Sequence, residues 1–491
     1  MGHDGATLGY TSVMSKPTSS MRPNDNNYFN GQWLRKASMW EQVMDTSHKH
    51  GNFLIWYQLD LKSRTPLQEE QVKRAVIHLY RRVPNLGVAL APREGTLWVK
   101  RATNPNVDFK VLQGQTVEEA RAIVCAFRSN TETGPLFCAR LLKDSPDKIS
   151  DIDPEDLDPD LKHSYFMFFG FHHGVVDGTS NMYIMGFFIS MLNDIISNRP
   201  INDDEPLGEY IPEDATVKLI LRKTEMIEAD SRLRDRLIQE NEVQKNQKAN
   251  ITQISDKTPA EKRTVTLARV LSQDVTLKFI QKCRQEKVTV NSAFSALVAA
   301  ALTDTLVEYG LVKDSYSVQN FHLVNLRRYW ENKPPISLGC HIGGPLKLYT
   351  ETPRNLGDKF WDYVRSLHQQ IKDGIESERV LIDKALHLLT TDELPYTDEF
   401  LFSDKEYEGD FVTSNLGNVT PLVTEGGEHV KISHVIRSTT IHCIENPVVI
   451  NLHTFRGKFT MMFDYNSGAV RKDIAEKYCS QILKRLFSIL E

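Results

Sequence analysis

Residues 165–171, YFMFFGF, carry no polar side chain except the tyrosine hydroxyl. A strand with one wet face alternates apolar with polar, so this run fits an interior strand whose sheet is covered on both sides. The helix expected over 179–196, TSNMYIMGFFISMLNDII, is apolar nearly all round and needs the same burial. Between the two lies HHGVVDG, residues 172–178, with adjacent histidines and an Asp-Gly turn. A strand–turn–helix of this kind has to sit inside a layered body, and 491 residues exceed what one hydrophobic core usually supports. Two domains, or one double-lobed body, are expected.

Composition narrows the function classes. Hydrophobic residues at 40% and charged residues at 25% are ordinary for a soluble globular enzyme and argue against a disordered, collagen-like or disulfide-stapled chain. A formal charge of −5 implies no basic face for nucleic acid. Cys125, Cys138, Cys283, Cys340, Cys443 and Cys479 form no CxxC and no zinc-ligand spacing, so free thiols, a reducing compartment and no metal are expected. Residues 1–20 lack the layout of a secretory signal and read as a disordered, tag-like start. No run of about eighteen apolar residues occurs, so no membrane span is expected and the protein is read as cytoplasmic.

TPLQ, residues 65–68, has the signs of a helix start, with Thr65 as cap, Pro66 in the first turn and Gln68 completing a capping box. Val72, Val76, Leu79 and Val83 supply its buried stripe, and Pro84 ends it. Strand composition marks 53–61 and 136–142, with a short hairpin in 86–99 turning on Glu94 and Gly95. The acidic, aperiodic stretch 144–160 reads as a solvated loop. A first lobe over 21–205 is joined to a second over 264–491 by a charged crossover, 206–263, with exposed helix. The second lobe carries a small-residue buried helix at 288–302, a strand at 321–326 and a hairpin in 448–465 turning at Arg456 and Gly457. Amphipathic helices are built on Phe360, Trp361, Val364, Leu367 and Ile371, and on Ile474, Tyr478, Ile482, Leu486 and Ile489. Interleaved strands and helices in both halves predict an α/β or α+β fold of two similar lobes.

The histidine pair sits where a rigid strand ends, so a side chain there projects with precision into whatever cleft adjoins it. Neighbours on an extended chain point to opposite sides, so one of His172 and His173 faces a given cavity and the other supports it. A histidine without metal partners or a nearby nucleophile suits general-base work. GxSxG, HExxH, GxxxxGK[ST] and GxGxxG are all absent, which removes the signatures of serine hydrolases, zincins, P-loop enzymes and dinucleotide binders. A base that activates the substrate's own hydroxyl or amine, with direct transfer, remains. Asp177 is expected to fix backbone or meet a distant arginine rather than orient the imidazole, and Gly178 to give the tight turn.

HHGVVDG matches the HHxxxDG signature, and on it the chain is identified as a member of the superfamily of chloramphenicol acetyltransferases, peptide-synthetase condensation domains, plant BAHD acyltransferases and fungal alcohol acetyltransferases. GPLFCARLL, VTVNSAFSALVAAAL, VNLRRYW and FVTSNLGNV extend the resemblance along nearly the whole chain. It implies two chloramphenicol-acetyltransferase-like lobes, each a mixed sheet flanked by helices, with a tunnel between them for coenzyme A and the acceptor. It also implies that His173 is the base, that His172 supports it, and that Asp177 is structural and pairs with an arginine of the second lobe, Arg327 or else Arg328. Where the plant branch has DFGWG, residues 410–417 read DFVTSNLG, nearer the fungal SNLG form. With the opening RPNDNNYFNGQW, this resembles the fungal trichothecene 15-O-acetyltransferase branch.

The resemblance implies acetyl-CoA as co-substrate, a hydrophobic alcohol as acceptor, and an oxyanion donor at Ser414 or in the backbone around Asn415 and Gly417. A monomer without a metal is expected. Three other readings stay open: an alcohol acetyltransferase with a different acceptor, a condensation-type enzyme drawing on a carrier-protein thioester, and a non-catalytic relative that only binds a metabolite.

Overall fold

The computed structural model describes residues 29–147, 158–210, 214–245, 248–255, 262–390, 407–424, 426–442, 444 and 446–491. The tag-like start at 1–20, most of the acidic stretch 144–160, and Cys443 lie outside the described residues. In the first lobe β1 (Trp33–Lys36), α1 (Met39–Lys49), β2 (Leu54–Ser63) and α2 (Glu69–Arg82) come first. The hairpin β3 (Val88–Arg93) and β4 (Thr96–Arg101) follows, then β5 (Asp108–Gln113), α3 (Val117–Cys125), β6 (Phe137–Lys143), β7 (His163–His172) and α4 (Gly178–Ile196). As the all-apolar run requires, β7 is central and covered on both faces. Tyr57, Leu59, Phe169 and Phe171 pack under α2 and α4, while Trp56, Phe166 and Phe168 pack under α3.

The helix expected from Pro66 starts three residues later. Leu67 is buried and its N–H donates to the Tyr165 hydroxyl, so Leu67 is committed to a tertiary bond and Gln68 becomes the cap. The Glu94-Gly95 turn has both residues at positive φ, as a tight hairpin demands.

The crossover contains β8 (Glu209–Tyr210), α5 (Asp214–Ala229) and α6 (Ser231–Lys245). The second lobe follows with β9 (Thr264–Val270), α7 (Gln273–Gln285), α8 (Val290–Glu308), β10 (Ser315–His322), β11 (Ser337–Leu338), β12 (Leu346–Pro353), α9 (Phe360–Glu376) and α10 (Arg379–Thr390). Then come β13 (Phe411–Asn418), the helical turn Thr420–Val423, β14 (Val430–Thr439), the hairpin β15 (Val448–Phe455) and β16 (Lys458–Asn466), and a closing helix Lys472–Ser488. The expected strand at 321–326 ends at His322, and Leu326 opens a 3-10 turn instead. The crossover helices are mostly exposed, with one face, Ile220, Ile227 and Leu237, buried in a cluster with α10.

Two sheets organise the lobes. The second has six strands in the order β12-β10-β13-β15-β16-β9. The first has five, β14-β2-β7-β6-β5, and so borrows a strand from the far end of the chain. Residues 430–439, expected in the second lobe, therefore belong to the first lobe's sheet, pairing antiparallel with β2 from Val430↔Ser63 to Thr439↔Ile55. Among the described residues one helix, α8, is long and apolar enough to cross a membrane by composition, with a mean hydropathy of 1.4 over its best window. It is instead the buried core helix of the second lobe, with 78% of that window inside.

Candidate active site

β7 delivers the histidine pair to the edge of the second lobe. His172, its last residue, is fully buried, and its Nδ1 accepts the Gly174 N–H at 3.1 Å. That bond caps the 3-10 turn His173–Val175. An accepting Nδ1 places the proton of the neutral ring on Nε2. Nε2 faces Asp45 Oδ1 across 3.8 Å, and the ring lies 4.6 Å from that of His48 on α1. Burial, with the neighbouring His173 and Lys49, pushes the imidazole down to about 3. His172 is a neutral strut for the turn.

His173 has the opposite tautomer. Its Nδ1 lies 2.9 Å from the Val176 carbonyl oxygen. A carbonyl only accepts, so Nδ1 carries the hydrogen and the Nε2 lone pair is left to take a proton. Phe53 packs edge-on at 6.2 Å, and Cys340 Sγ lies 3.5 Å from Nδ1. Burial holds the imidazole below the usual 6.5, against the opposing pull of the His173 and Val176 carbonyls and the Asp177 carboxylate.

Asp177 caps α4, its Oδ1 accepting the Ser180 N–H at 2.9 Å. Its Oδ2 accepts the His341 N–H at 2.9 Å and Arg327 Nη1 at 2.6 Å, and Arg327 Nη2 reaches Oδ1 at 3.3 Å. Burial alone would raise this carboxyl, but the Arg327 guanidinium and the donated hydrogen bonds outweigh it and hold it at about 2. The carboxylate is thus spent on Arg327 and backbone, and orients the imidazole only by its field. Arg327 sits in the 3-10 turn Leu326–Tyr329 after β10, and also donates to the Ser337 and Gly339 carbonyls at 3.0 and 3.2 Å. The pair therefore pins the turn after β7 in one lobe to a loop of the other. Arg328, the other candidate, is exposed.

Gly178 is where β13 comes close. A Cβ there would stand 3.0 Å from Leu416 Cδ2, so the Leu416 side chain packs directly on the glycine at the start of α4. Ser414, Asn415 and Gly417 lie on β13, half-buried, half-buried and exposed respectively. The Gly417 N–H donates to Asn415 Oδ1 at 2.8 Å, and Asn415 Nδ2 donates to Asn291 Oδ1 at 3.3 Å. Sequence reading missed Arg437 on β14, which donates to the Ser414 carbonyl at 2.5 Å and to Asn451 Oδ1 at 2.8 Å. No motif marks it; an arginine in a strand otherwise rich in Val and Ile is the only signal. Among the described residues no cluster of three His, Cys, Asp or Glu could hold a metal ion, and Cys125, Cys138, Cys283, Cys340 and Cys479 are free thiols.

No family model matches the chain, and no curated protein does. Solved structures match along nearly its whole length. The trichothecene 15-O-acetyltransferase TRI3 from Fusarium sporotrichioides superposes with a TM-score of 0.61 at 12% identity, covering 93% of this chain and 98% of that one. The first condensation domain of the calcium-dependent antibiotic synthetase, in complex with a substrate analogue, gives 0.64 at 12% identity over 93% and 96%. Polyketide synthase associated protein 5 from Mycobacterium tuberculosis gives 0.62 at 14% identity over 94% and 99%. At these identities the likeness is one of fold: the two-lobed fold shared by condensation domains and chloramphenicol-acetyltransferase-like acyltransferases.

Proposed function

We propose that this chain, built on the acyltransferase and condensation-type fold, is an acetyl-CoA-dependent O-acetyltransferase acting on a hydroxyl of a hydrophobic secondary metabolite, the C-15 hydroxyl of a trichothecene. The observation that carries the chemistry is the tautomer of His173. With Nδ1–H tied to the Val176 carbonyl and the imidazole neutral, Nε2 is a fixed, desolvated base. It takes the hydroxyl proton as the oxygen attacks the thioester carbonyl. The new C–O bond forms, the tetrahedral intermediate collapses with cleavage of C–S, and His173 returns the proton to the thiolate of coenzyme A. Asp177 and Arg327 hold the turn in place and touch no reacting atom in this scheme. The negative charge on the intermediate needs a positioned donor, for which Ser414 is the proposed side chain.

The choice of a trichothecene rests on the SNLG motif and on the fold shared with TRI3. A second reading, acyl transfer from a carrier-protein thioester, is favoured by the equal likeness to condensation domains. Release of coenzyme A from acetyl-CoA, followed with a panel of alcohols that includes a trichothecene bearing a free 15-hydroxyl, separates the two. The wild type should acetylate the trichothecene, and His173→Ala should lose roughly a hundred to ten thousandfold in kcat while keeping its fold. Retained activity in the variant would sink the base assignment. Turnover only when the acyl group is presented on a phosphopantetheinylated carrier would replace acetyl-CoA by the carrier.

A further inference from the structure

The reaction just proposed leaves its oxyanion in need of a donor, and the hydrogen bonds of β13 reduce the choices. The Gly417 N–H is taken by Asn415 Oδ1, and the Asn415 amide by Asn291. Ser414 is different. Arg437 Nη1 and Nη2 lie 3.4 and 3.3 Å from its Oγ. A guanidinium only donates, so Ser414 Oγ accepts there and its own hydrogen must point elsewhere. Two residues on, Leu416 packs against Gly178 at the start of α4, directly after the turn that holds His173.

Arg437 is an unusual group to find in this place. It stands on β14, directly across from Tyr57 on β2, and is 3% exposed. From the first lobe's sheet it reaches the second, where its acceptors are Ser414, Asn451 and the Leu452 carbonyl. None of these partners is a carboxylate, and its Nε has no hydrogen-bond partner among the described residues. The nearest acid in the chain of bonds is Asp464, reached through Asn451 Nδ2 at 2.7 Å. A cation buried this deeply with only neutral acceptors is held at a cost unless its field is used. The field falls on the Ser414 hydroxyl.

We propose that Arg437 is a positioning residue for acyl transfer: it turns and polarises Ser414 so that the Ser414 hydroxyl donates to the tetrahedral oxyanion. Charge-assisted donation into Oγ makes its O–H a stronger donor, and the bond to the Ser414 carbonyl fixes the strand beneath it. The two lobes thus each supply half of the chemistry, His173 from β7 and a tuned hydroxyl from β13, with Arg437 spanning the seam.

The test is a double-mutant cycle on the full chain, with Ser414→Ala, Arg437→Gln and both together, reading kcat and KM for acetyl-CoA and a melting temperature for each. Ser414→Ala should lower kcat about a hundredfold with KM nearly unchanged. Arg437→Gln should lower kcat in the same sense, and adding it to Ser414→Ala should cost nothing further. The acid limb of the pH–rate profile, set by His173, should stay put in all three. If Arg437→Gln does not fold, Arg437→Lys takes its place in the cycle, since it keeps the charge and loses the paired donors. Losses that multiply in the double variant, or an Arg437 effect confined to KM or to melting, overturn the positioning role. A wild type that turns over no thioester with any acceptor overturns acyl transfer itself and the role of Arg437 with it.

Discussion

In the proposed reaction His173 is a base because a single carbonyl decides which nitrogen carries its hydrogen, and that has a measurable signature. Burial lowers its pKa below 6.5, and the reactive form is the neutral one. Activity is therefore present above the folded-state pKa and lost as pH falls through it. The acid limb of kcat/KM should lie below pH 6.5 and the plateau should extend through neutrality. A limb at or above that value would mean the imidazole is not desolvated as the structure has it. Asp177 is tested differently, since it is one partner of a buried pair and no base. Asp177→Asn leaves the Arg327 guanidinium buried without its counter-charge and should destabilise the protein by about 3–5 kcal/mol in denaturant unfolding. Loss of activity without that destabilisation would put Asp177 in the chemistry and not in the scaffold. The motif drew attention to His173, Asp177 and Gly178 from sequence, and a short linear pattern could do so because all three lie within one strand, turn and cap. Arg437 carried no such mark, since its contacts exist only where two distant strands meet.

At the scale of elements, the same contrast governs what could be read. β7 and α4 announce themselves because both are apolar all round. β14, with sequence VKISHVIRST, mixes Lys, Ser, His and Arg among its Val and Ile, the composition of a strand with one wet face. Both faces are in fact inside, because His434, Arg437 and Ser438 reach partners on the second lobe's strands. His434 Nε2 lies 3.2 Å from Thr460 Oγ1 there, and Ser438 Oγ lies 3.4 Å from Thr266 Oγ1. Burial with partners is indistinguishable from exposure in a pattern of residue types. The strand is held by α4, whose Asn193 accepts the N–H groups of His429 and Val430 and donates to the Ile189 and Val430 carbonyls. Two turns closer to the motif, at Gly186, α4 presses on the helical turn Thr420–Val423. A Cβ on Gly186 would stand 2.7 Å from the Val423 carbonyl oxygen and 2.8 Å from that of Leu422, both backbone atoms that cannot swing away. Gly186→Ala should cost about 1–3 kcal/mol in denaturant unfolding. Gly344→Ala, where nothing lies within 4 Å of the new methyl, is the matched control. Equal stability of the two variants would show that α4 and the turn can part without loss.

Taken whole, the molecule is two apolar cores joined by a polar seam and a buried site, and this arrangement ties its stability to pH. Burial drives His172 down to about 3 and His322, His341 and His434 to about 4, while His48 and His453 fall well below the usual range and His173 is lowered too. Each of these imidazoles is neutral when folded and takes a proton near 6.5 once unfolded. Their contribution is complete above 6.5 and is lost as pH falls from there toward 4. Four aspartates act in the other direction, the half-buried Asp383 among them. Burial pushes Asp60, Asp410 and Asp464 up to about 6, so the folded state takes up their protons first and is favoured as pH falls from 6 toward 3.8. Seven imidazoles against four carboxylates leave the unfolded chain the net acceptor of protons around pH 5. Each net proton tilts the stability curve by about 1.4 kcal/mol per pH unit. The melting temperature should therefore be highest near neutrality and fall steeply between pH 6.5 and 5, before the Asp177–Arg327 pair begins to lose its charge. A melting curve measured by calorimetry across pH 8 to 5 decides it: a flat profile would mean that the histidines of the seam and site keep their protons in the folded protein, and with them the premise of a neutral base at His173 would go.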